Sequence, residues 1–91
     1  MLFAFSVAPS ASEDNGSVSA AVADAVRVVR DYGLPYELTS MFTTIEGEWD
    51  EVMPVIKAAC DAVAAYGPRV SLVLKADLRP GYDGQLTAKV E

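Results

Sequence analysis

Apolar side chains crowd the stretch Leu2 to Ala8 and stop at Pro9, which has no N–H to give to a sheet ladder, so this segment predicts a strand. A polar loop, Ser10 to Gly16, follows. From Ser17 onward Val18, Ala21, Val22, Ala25, Val26, Val29 and Tyr32 recur at the three- and four-residue steps that line one helix face. Ser17 is the expected N-cap and Gly33 the stop. Asp24, Arg27, Arg30 and Asp31 fall on the opposite face, where charges read as a solvated surface.

After Pro35 two extended segments are predicted, Tyr36 to Met41 and Thr43 to Gly47, joined at Phe42 by a turn with neither Gly nor Asn, which disfavours a tight primed hairpin. Glu48, Asp50 and Glu51 then put negative charge where a helix start favours it. Val52, Val55, Ile56, Ala59, Cys60, Val63 and Tyr66 supply the apolar stripe, and Gly67-Pro68 ends it. Pro54 removes one early backbone hydrogen bond, tolerable only near a helix start. Arg69 to Asp77 predicts a last strand, Arg79 to Gly84 carries turn chemistry, and Gln85 to Glu91 reads as a tail.

The order strand, helix, strand, strand, helix, strand repeats one βαβ plan and implies a single α+β domain over residues 1–91. The expected architecture is a ferredoxin-like βαββαβ sandwich. With right-handed crossovers both helices cover one face of an antiparallel sheet ordered 4-1-3-2. The other face is left open, for a ligand or for a second copy.

Strand alternation distributes the side chains. Phe3, Phe5, Val7, Leu38, Ile45, Val70, Leu72 and Leu74 are expected toward the helices. Ala4, Ser6, Glu37, Thr39, Met41, Thr44, Glu46, Ser71, Val73, Lys75 and Asp77 are expected on the open side. Strands one and three are neighbours, so Ser6 and Glu46 are expected to converge. The plainer reading is that Ser and Thr suit a strand facing water and that Lys75 pairs with Glu46 or Asp77 across the sheet.

Composition narrows the chemistry. A net charge of −6 with scattered basic residues argues against nucleic-acid binding. One cysteine and no histidine leave no disulfide framework, CxxC motif or His-centred mechanism. Met1 to Ser12 superficially looks like a secretory leader, but it lacks a basic start and its apolar part is short. A cytoplasmic chain is therefore expected, with no apolar run near the roughly 20 residues that span a bilayer.

The stretch from Tyr36-Glu37-Leu38-Thr39-Ser40-Met41-Phe42 through Thr43-Thr44-Ile45-Glu46-Gly47 to Glu48-Trp49-Asp50-Glu51-Val52 closely resembles the signature of the small thiamine-binding protein family. Ser6-Val7-Ala8-Pro9, Ser17-Val18-Ser19 and Lys75-Ala76-Asp77-Leu78-Arg79 resemble the family's flanking segments, so the similarity spans nearly the whole chain. Ser40 stands where relatives commonly have proline and Phe42 where many have glycine. The resemblance implies dimers or tetramers formed through the sheets, and a pocket near a subunit interface for thiamine or its hydroxymethylpyrimidine moiety.

Thiamine joins a positively charged thiazolium to an aminopyrimidine, which asks for a carboxylate, small hydroxyls and an apolar wall. Glu46 is the candidate acceptor or counter-charge, with Ser6, Thr39 and Thr44 as hydroxyl partners and Met41, Phe42 and Lys75 completing the expected ligand-binding set. Glu46 also reads as a surface carboxylate or a cap on helix two, Met41 and Phe42 as core or interface, and Trp49 as a packing anchor. No cofactor, metal or catalytic group is expected. Acylphosphatases share the architecture but carry an arginine in the loop after strand one, and metal chaperones a CxxC pair; Ser10 to Gly16 has neither. The competing class is a self-associating structural or regulatory module with another small-molecule or anion ligand.

Overall fold

Along β1 (Leu2–Pro9) large and small side chains alternate, and the large ones are sealed: Phe3 is 0% exposed, and Phe5 and Val7 are also buried. The computed structural model describes residues 1–9, 15–67 and 69–79. Within them α1 (Asn15–Tyr32), β2 (Tyr36–Leu38), β3 (Thr43–Glu46), α2 (Trp49–Ala64) and β4 (Val70–Asp77) follow β1. The sheet is antiparallel in the order β2-β3-β1-β4, the predicted 4-1-3-2 read from its other edge. The fold is the expected α+β, ferredoxin-like one.

The core joins Phe3, Phe5, Val7 and Ile45 of the sheet to Ala21, Ala25 and Val29 of α1 and Val52, Val55, Ile56, Ala59 and Val63 of α2. Each large apolar side chain buried this way contributes about 1.5–3 kcal/mol. Helix α2 thus shows the sheet most of the stripe that its spacing predicts, whereas α1 buries only the narrower line Ala21, Ala25 and Val29 and leaves Val22 and Tyr32 exposed. Tyr82 and the segment Gln85 to Glu91 lie outside the described residues.

Several boundaries differ from the sequence reading. Helix α1 starts at Asn15, so Ser17 lies inside it rather than capping it. At its other end Gly33 adopts φ +84° and donates its N–H to the Arg30 carbonyl at 3.2 Å, the left-handed stop that glycine permits. Helix α2 starts at Trp49 with an extended Glu48 before it, whose N–H donates to the Glu51 carboxylate at 2.9 Å. Pro54 withholds the N–H that would bond the Asp50 carbonyl, and its exposed ring leaves the buried stripe intact. Trp49 anchors this end: its ring meets Phe3 edge-on at 5.9 Å and 63°.

The charged face of α1 is not wholly solvated. The Tyr66 hydroxyl, just past α2, donates to the Asp24 carboxylate, which also accepts from Arg27 at 2.6 Å. These two donors, Tyr66 first, hold Asp24 below the usual aspartate range, and the same bond pushes Tyr66 up. Asp24 therefore straps one helix to the other.

Candidate functional site

Register decides which open-face residues meet. Leu2 lies opposite Glu46 on β3 and Asp77 on β4; Ala4 lies opposite Thr44 and Lys75; Ser6 lies opposite Val73; and Glu37 of β2 lies opposite Thr44. Cross-strand partners share a face, so Glu46, Leu2 and Asp77 form one row and Glu37, Thr44, Ala4 and Lys75 the next. A depression of about 220 Å³ sits here, lined by Leu2, Ala4, Thr44, Lys75 and Asp77.

This end of the face is sheltered. Leu2 points away from the helices yet is only 7% exposed, and Glu46 beside it is 9% exposed. Its strand end is tied down by backbone bonds: Glu46 N–H donates to the Pro35 carbonyl at 2.9 Å and Gly47 N–H to the Met1 carbonyl at 3.0 Å. Lys75 is exposed and Asp77 half-buried at the sheet's edge. Glu46 is not the cap of α2, a position held by Glu48.

The predicted set does not gather at one point. Ser6 stands four residues along β1 from Leu2, the partner of Glu46. At about 3.3 Å per residue that is about 13 Å. Ser6 and Glu46 therefore do not converge. Nor are Thr39 and Met41 on a strand, because β2 ends at Leu38. Thr39 N–H and its hydroxyl both donate to the Phe42 carbonyl at 2.9 Å, and Phe42 N–H donates back to the Thr39 hydroxyl oxygen at 3.2 Å. This side chain closes the turn with no residue at positive φ, which is why neither Gly nor Asn is needed there. Met41 projects from that turn, 75% exposed, and Phe42 is half-buried.

Two larger hollows lie on the helical layer, one of about 470 Å³ beside Val28, Asp31, Tyr32 and Ala58, and one of about 420 Å³ beside Trp49, Asp50, Met53, Pro54 and Lys57. Neither draws polar groups from several elements, and Lys57 there pairs with Asp61 at 3.0 Å. The sheet depression does, taking them from β3 and β4 over an apolar floor from β1. Burial, with Asp61 beside it, pushes the Cys60 thiol up, away from the thiolate that nucleophilic chemistry needs.

Comparison with known proteins bears on this geometry. The model of the family described as "Thiamine-binding protein" matches residues 3–91. The chain belongs to the thiamine-binding protein family. A UPF0045 protein of Mycobacterium bovis is 51% identical over 92 aligned residues, covering 99% of this chain and 87% of that one. A UPF0045 protein of Methanothermobacter thermautotrophicus is 42% identical over 77 residues, 82% of this chain and 78% of its own. Among solved structures, the Bacillus cereus DUF77 domain superposes with a TM-score of 0.85 at 34% identity, covering 98% of this chain and 85% of the domain. Membership of the thiamine-binding family accounts for the fold, while the register above shows which of this chain's residues surround its sheet depression.

Leu2, Ala4 and Asp77 are the lining residues that the sequence-derived set lacks. Alternation puts Ala4 and Asp77 on the open face, but nothing in it says that they share a row end with Glu46. Leu2 carries no polar group to mark it, and only its pairing between two carboxylates draws attention to it.

Proposed function

We propose that the chain binds thiamine or its hydroxymethylpyrimidine moiety, without transforming it, in the open-face depression beside Thr44 and Glu46, and that a second copy closes over the site in a homodimer or homotetramer. The observation that carries this reading is the family match over residues 3–91, together with a depression that draws on the chain's own signature segment.

The chemistry suits the ligand. Glu46 is nearly buried, so a hydrogen bond from a pyrimidine amino group to its carboxylate is worth more there than in water. Thr44 offers a hydroxyl that both donates and accepts, and Leu2 and Ala4 form an apolar floor. A volume of about 220 Å³ falls short of the roughly 300–1,000 Å³ of a complete small-molecule pocket, which supports a site finished by a neighbour. Val73, 56% exposed on the open face, and the protruding Met41 supply apolar surface for that contact. Ser6, Met41 and Phe42 lie toward this contact rather than beside Glu46.

Isothermal calorimetry of thiamine and hydroxymethylpyrimidine with the wild type and Glu46→Gln is the test. Loss of the charged acceptor should weaken binding by about 1–3 kcal/mol. Equal affinities would remove Glu46 from the site, and no binding of either compound to the wild type would remove the reading itself.

A further inference from the structure

We propose that Asp77 is the specificity-determining carboxylate of this site, countering a ring cation on the ligand while Glu46 serves the neutral pyrimidine. The proposal rests on the thiamine reading above and goes beyond it in naming what separates the whole compound from its pyrimidine half.

The register supplies the geometry. Leu2 pairs with Glu46 on one side and Asp77 on the other, so both carboxylates rise from the same face and flank one apolar residue. Their Cα atoms are two strand spacings apart, about 10 Å. A ligand lying across Leu2 and Ala4 meets Glu46 at one end and Asp77 at the other. Neither carboxylate is without an interaction of its own in the chain, so a cation shares or displaces one.

The two ends differ in a way that matches two kinds of recognition. Glu46, 9% exposed on an inner strand, is a fixed acceptor of the kind that in-plane hydrogen bonding uses. Asp77 lies on the edge strand, half-buried, where a charge can meet a delocalised cation without strict geometry. Lys75 faces the same depression, two residues before Asp77, but is exposed on a flexible stem that can turn its ammonium into solvent.

Calorimetry of thiamine and of hydroxymethylpyrimidine against wild type, Asp77→Asn and Asp77→Glu tests this at two salt concentrations. Asp77→Asn should weaken thiamine at least roughly tenfold, leave hydroxymethylpyrimidine within about twofold, and flatten the salt dependence of thiamine binding. Asp77→Glu, which keeps the charge, should hold thiamine within about threefold of wild type. Equal losses for both ligands, or none for either, would overturn the role of Asp77 while leaving the thiamine reading intact, as would a wild type that binds only the pyrimidine. A wild type that binds neither overturns both.

Discussion

On the helix side of β1, Phe3 and Phe5 are sealed between the sheet and two helices; on its other side Ala4 and Ser6 are short, half-buried and flanked by Thr44, Lys75 and Val73. The same strand therefore carries core packing on one face and the floor of the sheet depression on the other. Leu2 is the informative exception, buried on the face that lacks helices and bracketed by two carboxylates. The lining of the depression can change with little effect on the core, since the two sets of side chains lie on opposite faces of the sheet.

The largest effect should come from the sealed side. Phe3→Ala removes a ring that packs in the core and against Trp49, and should cost about 3–5 kcal/mol in denaturant unfolding. Thr44→Val across the sheet should stay within about 0.5 kcal/mol in the same measurement. Comparable losses from the two would break the division between faces.

Next is Gly47, between β3 and α2, where an added Cβ would lie 2.9 Å from Val52 Cγ2. Val52 is fully buried and cannot easily give way, so Gly47→Ala should destabilise by about 1–3 kcal/mol. An unchanged unfolding midpoint would show that this connection yields, and that the anchoring of Glu46 is softer than its backbone bonds indicate.

The smallest effect belongs to the helical layer. Asp24 has a depressed pKa, so its contribution is present above the unfolded aspartate value and disappears as pH falls through the lower folded value. Tyr66 is raised, so its part is present below the ordinary tyrosine value and is lost as pH rises through the folded one. Tyr66→Phe should lower the thermal midpoint slightly near neutral pH, and the gap from wild type should narrow in acid as Asp24 protonates. A gap that stays constant with pH would mean that the ring acts through packing rather than through its hydroxyl.

Much of this was legible beforehand, for local reasons. The three- and four-residue spacing identified most of the buried stripe of α2 and the centre line of that of α1, though Val22 and Tyr32 stay exposed, and the alternation in Phe3-Ala4-Phe5-Ser6-Val7 assigned both faces of β1. The site was less legible. Thr39 looked like a ligand hydroxyl because alternation was carried past Leu38, whereas its side chain turns back on Phe42 and ends the strand. Asp24 looked solvated because its partner, Tyr66, lies 42 residues away.

From the residues themselves came the element order, the ferredoxin-like plan and the side of the sheet each strand residue occupies, because these follow from backbone periods that any short window displays. Only the tertiary structure decided which open-face residues stand together. A period of two sets the face of a side chain but not its offset along a neighbouring strand. That offset, set by how β1 pairs with both β3 and β4, parted Ser6 from Glu46 and brought Asp77 to the same row.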